Sequence, residues 1–349
     1  MKTTTPSAVI AAPIGARSAR VVYLEGPRQL AWRTEALPEH VPDDAVLCQT
    51  IVTAISPGTE LAAYLGLPPL REGIAYPRVQ GYCNVAAVLA CGSGVRSLKA
   101  GDRVLTSSSH RSHFVIPERE VLLRLWEDVV PEEAACSYLF HLGYNAVLRA
   151  DVRPGSRVLV VGLGVLGLST VAMAHLAGAD VLALSEHGAQ RALAVRLGAR
   201  RALRRADSVE IDSALGDVRA DVVVVTTNAW SDWEIALRAA GQRATIAVLG
   251  FPGRGQLPSD FNPLDSRWFY AKQLRIEAVG HSPELRDTRG FARFNERDNL
   301  RWLNELISEK RLPAALLISG TFPAEQIEQA YLALIERNGS PVTYILRWV

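Results

Sequence analysis

The sequence predicts an α/β protein in two parts, a β-rich barrel-like part and a doubly wound parallel sheet. Three observations carry this. Between residue 20 and about residue 125, short apolar runs are separated by Pro, Gly and Asp turns, the punctuation of antiparallel strands. From Pro131 the period changes, and apolar strands alternate with helical segments, as in a parallel sheet with crossover helices. A last apolar run, 343–348, has no partner in that alternation. It is expected to return to the β-rich part, which makes that part discontinuous.

In chain order, residues 20–24, 45–55, 81–90, 103–105 and 113–116 read as strands. Residues 132–150 read as a helix, with Pro131 near its first turn and Glu132 and Glu133 at the positive end of its dipole. Then follow strand 157–161, helix 165–177, strand 180–184, helix 189–197 stopped by Gly198, strand 221–226, helix 233–240 and strand 244–249. A loop-rich stretch runs to Lys272, strand 274–279 extends the sheet, and 300–309 and 324–336 read as helices. The expected division is a flexible tail over 1–18, a catalytic part over 19–140 and 281–349, and a nucleotide-binding part over 141–280.

Composition narrows the function. Of 349 residues, 48% are hydrophobic and 21% charged, which excludes a disordered or collagen-like chain. A net charge of +2, from 38 basic and 36 acidic residues, leaves no field to hold nucleic acid or an anionic membrane. Cys48, Cys83, Cys91 and Cys136 form no CxxC pair and fit neither a disulfide framework nor a four-thiolate zinc site, so a reducing cytoplasm is expected. Pro13 and Gly15 interrupt any signal-peptide core in the tail. The apolar stretch 158–184 is broken by glycines and reads as strand–turn–helix–strand, not as a membrane span.

Gly162, Gly164 and Gly167 stand in GxGxxG spacing between a strand and a helix, the context in which that spacing binds a dinucleotide. Gly162 allows the tight turn, Gly164 the approach of a pyrophosphate, and Gly167 close packing of helix on strand. Val165 and Leu166 open the helix, whose free N–H groups face the phosphates. After the second strand come Ser185, Glu186 and His187, with Arg191 one turn on. Ser, His and Arg suit a 2′-phosphate, so NADP(H) is favoured over NAD(H). A one-residue shift would instead make Glu186 an acid for the ribose hydroxyls.

Four stretches together resemble the medium-chain dehydrogenase/reductase superfamily: Ser56-Pro57-Gly58-Thr59-Glu60 with Gly66, Gly81-Tyr82-Cys83-Asn84-Val85, Gly101-Asp102-Arg103-Val104, and the Gly162 loop. The resemblance covers nearly the whole chain from about residue 19. It implies a GroES-like β-barrel catalytic domain plus a Rossmann domain, with the active site between them. The departures are informative. Pro57 stands where zinc-dependent members place a thiolate ligand, Tyr82 stands where they place a ligand histidine, and the four-cysteine lobe is missing. A catalytic zinc needs about three protein ligands, so the chain is similar to a zinc-independent branch. SPGTE and GYxNV resemble the bacteriochlorophyllide hydroxyethyl dehydrogenases and relatives in secondary metabolism.

The resemblance implies that Thr59 is a proton-relay hydroxyl and that Tyr82 points into the cleft. Glu60 matches an acid that would hold Arg347 or Tyr82, and Arg347 itself is expected near the cofactor phosphates. His110, in the loop that approaches substrate, is a candidate general acid–base group, with His113 beside it. Tyr64 and His141 are weaker candidates. Asn228, at the carboxyl edge of the sheet, suits a nicotinamide contact. Trp268, Phe269 and Tyr270 would floor an apolar pocket, form an oligomer contact or pack in the core. The function expected is alcohol–carbonyl interconversion on an apolar or polycyclic small molecule, by a homodimer. An enoyl- or quinone-type reductase and a catalytically inactive nucleotide-binding protein remain alternatives.

Overall fold

A computed structural model describes residues 18–68, 75–280 and 293–349. The expected tail lies outside the described residues, except Ser18, where the first strand begins. The first part holds β1 (Ser18–Gly26), β2 (Gln29–Ala36), β3 (Ala45–Ala54), α1 (Pro57–Leu65), β4 (Arg78–Val79), β5 (Cys83–Cys91), β6 (Arg103–Thr106), β7 (His113–Pro117), β8 (Leu123–Arg124), α2 (Pro131–Ala135) and α3 (Ser137–Arg149). The second holds β9 (Arg157–Val161), α4 (Val165–Leu176), β10 (Asp180–Leu184), α5 (Gly188–Arg196), β11 (Arg201–Leu203), α6 (Ser208–Leu215), β12 (Ala220–Val225), α7 (Trp230–Ala239), β13 (Ala240–Val248) and β14 (Arg275–Ala278). The chain closes with α8 (Glu296–Ser308), β15 (Ile318–Pro323), α9 (Ile327–Glu336) and β16 (Thr343–Arg347).

The β-rich part contains a sheet of order β2-β1-β4 and a second of order β15-β16-β3-β5-β6-β8, with β7 also paired to β3. β3 is its spine, because its ten residues are nearly all buried and it pairs with β5, β7 and β16. β16 lies antiparallel to β3 with Ile345 opposite Ala54, so the closing segment sits in this sheet.

The other part is a parallel sheet of order β11-β10-β9-β12-β13-β14. β9 and β12 are continuous Val and Leu runs, as strands covered on both faces require. Strand order reverses beside β9, the switch point at which open α/β sheets bind ligands beyond the strands' carboxyl ends. α4 is buried on nearly all sides. Its contact with α3 is close because Gly143 of α3 has no side chain: a Cβ there would lie 2.6 Å from the carbonyl carbon of Ser169.

Three differences from the sequence reading have local causes. The helix expected over 132–150 is two helices, α2 and α3, parted at Cys136. The unread stretch after Gly198 holds β11, three residues long and too short to show a period, and α6, capped by Asp207 accepting from the Glu210 amide at 2.9 Å. The SPGTE motif opens a helix, α1, with Pro57 in its first turn and Gly66 closing it in the left-handed region at φ 69°. Among the described residues no helix is long and apolar enough to cross a membrane.

Candidate active site

The glycine loop is a cradle made of backbone. Gly162 turns the chain at φ 93°, in the region that favours glycine. A Cβ on Gly167 would meet the Gly162 carbonyl oxygen at 1.8 Å, so α4 can lie this close to β9 only with glycine there. Nothing lies within 4 Å of where a Gly164 Cβ would stand, which leaves that side of the loop open. The Thr226 hydroxyl donates to the Gly162 carbonyl at 3.0 Å and fixes the turn. Val165 and Leu166 begin α4, whose first-turn amides have no carbonyl partners within the helix. This cradle fits the pyrophosphate of a dinucleotide.

At the adjoining strand end, the Ser185 hydroxyl accepts from the His187 amide at 3.2 Å, and Arg191 donates to the carbonyls of Ser185 and Glu186 at 2.8 and 2.9 Å. The Glu186 carboxylate accepts from the Ala206 amide at 2.8 Å and stands 3.7 and 3.8 Å from Arg204 and Arg205. Arg205 also pairs with buried Asp232 at 3.0 Å. The two arginines follow β11 and were missed in the sequence for the same reason as that strand. Asn228 accepts from the Phe251 amide at 3.0 Å and so holds the loop after β13 at the sheet's carboxyl edge.

In the barrel, Ser56 and α1 form the facing site. The Tyr82 hydroxyl makes a short hydrogen bond to the Ser56 hydroxyl, and Thr59 also bonds it. Burial pushes the Tyr82 phenol well above its usual range. Its ring stands edge-on to Tyr138 of α3, with centroids 5.4 Å apart. Tyr82, Tyr138, Leu163, Val165 and Leu166 all pack on the one large apolar cluster that runs through both parts of the chain. Tyr138 donates to Glu296 at 3.4 Å, and burial raises the Glu296 carboxyl above its usual range. Sequence reasoning passed over both residues; the only signal was a tyrosine three positions before His141 on the linking helix.

Several expectations need correction. His110 is not in an open substrate loop. Its ring is fully buried, with Nε2 2.9 Å from Glu60 and Nδ1 2.8 Å from Thr53. Glu60 holds neither Arg347 nor Tyr82. It accepts from the Ser56 amide at 2.7 Å and from Tyr331 at 2.6 Å, and it binds His110. The long-range pairing of α1 with α9 brings Tyr331 to it, which no local spacing reveals. Arg347 is half-exposed and ion-paired to Glu132 at 2.9 Å. His113 lies on β7 opposite Gln49, bonded to Ser112 at 3.2 Å, and burial lowers its imidazole. Tyr64 is buried and bonds Glu328 at 3.2 Å. His141 is buried, 5.6 Å from Tyr138 and 3.5 Å from Asn299. Trp268 and Phe269 pack on the sheet's core, while Tyr270 is exposed.

The barrel site does not fit a catalytic zinc. Pro57 offers no donor, and the Glu60 carboxylate is occupied on both oxygens. Burial pushes the Cys83 thiol up, and that of Cys136 to about 12. Among the described residues no three His, Cys, Asp or Glu side chains gather as a metal site.

Residues 165–287 match the family model described as zinc-binding dehydrogenase. Over that segment the chain resembles zinc-binding dehydrogenases. It is 26% identical over 201 residues to L-galactonate-5-dehydrogenase of Escherichia coli, covering 49% of this chain and 57% of that enzyme, little more than half its length. It is 25% identical over 263 residues to sorbitol dehydrogenase of Bacillus subtilis, covering 65% of this chain and 74% of that enzyme. A Sinorhizobium meliloti structure solved bound to NADP superposes with a TM-score of 0.76 at 19% identity, over 95% of this chain and 99% of that one. Homologues and structural neighbours are medium-chain dehydrogenases/reductases, which are enzymes. The fold is a GroES-like barrel joined to a Rossmann domain.

Proposed function

We propose that the chain is a zinc-independent, NADP(H)-favouring oxidoreductase that interconverts an alcohol and a carbonyl on an apolar or polycyclic small molecule. The observation that carries this is the presence together of an open glycine cradle and a hydroxyl cluster, Tyr82, Ser56 and Thr59, in parts of the chain joined by one apolar core. The alcohol and polyol dehydrogenases among the relatives support the carbonyl chemistry over alkene reduction. The SPGTE and GYxNV motifs support the placement in secondary metabolism.

A nicotinamide bound here supplies or accepts the hydride. The chain's residues do the rest. Gly162 to Gly167 and the first turn of α4 hold the phosphates. Ser185, His187, Arg191, Arg204 and Arg205 gather donors and positive charge where a 2′-phosphate would lie, against the carboxylates of Glu186 and Asp232. Tyr82 and Thr59 orient the substrate oxygen and polarise it by hydrogen bonding, the role a metal would otherwise fill. Asn228 lines the nicotinamide side, and the Glu60–His110–Tyr331 group keeps Ser56 and α1 in register. A cytoplasmic location and a homodimer through the outer edge of β14, which pairs only with β13 among the described residues, complete the proposal.

Parallel fluorescence titrations with NADPH and NADH test it. The expected result is NADPH binding at least about tenfold tighter, about 1.4 kcal/mol. Preference for NADH would return Glu186 to the ribose and remove the 2′-phosphate argument. Binding of neither would remove the oxidoreductase assignment.

A further inference from the structure

One buried acid stands at the end of the tyrosine row with no part in the steps above. Glu296 opens α8, directly after its cap Asn295, and is 5% exposed. An acid in a helix's first turn is stabilised by the dipole while exposed; burying it adds a desolvation cost. Its carboxyl oxygen takes the Tyr138 hydroxyl at 3.4 Å, and Tyr138 meets Tyr82 edge-on at 5.4 Å. A row therefore runs from Ser56 through Tyr82 and Tyr138 to Glu296.

Resting on the alcohol–carbonyl reading, we propose that Glu296, acting through Tyr138, is the positioning residue that stores the proton exchanged at the tyrosine pair. In oxidation the substrate carbinol loses hydride, with its two electrons, to the oxidised nicotinamide. Its hydroxyl proton passes to the Tyr138 phenol oxygen as that phenol's own proton passes along its hydrogen bond to the Glu296 carboxylate. The products are a carbonyl, the reduced cofactor and a neutral Glu296, which later releases its proton. Reduction runs the same transfers backwards.

Burial is the main cause that raises the Glu296 carboxyl, against weaker lowering by the Tyr138 hydrogen bond and by Arg297. That moves it towards the range in which proton exchange at neutral pH is efficient. The titratable and charged groups on the elements packed against α8 are Tyr138, His141, Tyr144 and Arg149 on α3, the last paired with Glu277, Glu132 and Glu133 on α2, paired with Arg347 and Lys310, and Arg124 on β8, paired with Asp102. Its own helix adds Arg297, Asp298 and Arg301, the last two paired at 3.6 Å.

The test is Glu296→Gln in the full chain, which keeps an acceptor for Tyr138 and removes the titration. Two readouts are taken: infrared difference titration of wild type against variant, with and without NADPH, and the pH profile of NADP+-dependent oxidation over a panel of apolar and polycyclic secondary alcohols. The expected result is unchanged NADPH binding, a fall in kcat of about tenfold or more, and loss of one limb of the profile. A protonated-carboxyl band, missing in E296Q, should titrate above the range of a free glutamate. An unchanged rate and profile would overturn the proposal. If wild type oxidises none of these alcohols, the functional reading fails separately, and the infrared titration decides: a Glu296 band displaced by NADPH supports the proton store, and an unmoved or absent band overturns it.

Discussion

The glycine loop and the barrel site adjoin the same apolar core but are built by opposite means. The loop is backbone: its shape follows from three glycines, a strand and a helix start within a dozen residues. The barrel site is side chains from four distant segments: Thr53 to Glu60, where β3 leads into α1, then Tyr82, His110, and Tyr331 on α9. A backbone cradle tolerates almost any neighbours, whereas a buried polar network fails when one member is lost. On the proposed function, the loop would set which cofactor the chain holds, and the barrel network would set whether substrate chemistry has a fixed geometry.

The largest expected effect falls on the barrel. Glu60→Ala strands His110, Tyr331 and the Ser56 amide in the interior, and breaking a buried pair of this kind costs about 3–5 kcal/mol. Urea unfolding measures it, and a loss under about 1 kcal/mol would show that the network is not buried as described. Gly167→Ala should cost about 1–3 kcal/mol by overpacking, because its Cβ has no room beside the Gly162 carbonyl, and should abolish NADPH binding in the fluorescence titration. Retained binding would mean that the cradle is not the nucleotide site. Tyr82→Phe removes a hydroxyl without emptying the space, so stability should hold while kcat/KM falls about a hundredfold. An equal loss in both would make Tyr82 structural, like His110.

Smaller effects sharpen the contrast. The Glu296 carboxyl is raised in the folded state, so its contribution to stability is complete below the unfolded value and declines as pH rises through the folded one. E296Q should flatten that slope in unfolding curves taken at several pH values; an identical slope would place the titration elsewhere. Arg347→Ala removes a half-exposed ion pair with Glu132 and should change stability by about 0–1 kcal/mol and leave NADPH affinity unchanged.

What was legible in the sequence follows the same division. Gly162, Gly164 and Gly167 could be read because their chemistry depends on neighbours a few positions away. Alternating strands and helices were legible for the same reason, and so was the closing strand, through its lack of a local partner. His110 was misread because a histidine after a run of serines looks like an exposed loop, while its partners Glu60 and Thr53 lie 50 and 57 positions away. Tyr138 and Glu296, 158 positions apart, carry no shared signal at all. Arg204 and Arg205 were missed because β11 is only three residues long.

The central claim is that a buried acid–imidazole–tyrosine network, not a metal, holds the barrel half of the site. It is tested most directly by measuring zinc in the purified chain after exposure to zinc and dialysis, with NADPH present. The account predicts far less than one zinc per chain, and the same result for Tyr82→Phe. One tightly retained zinc per chain would contradict it.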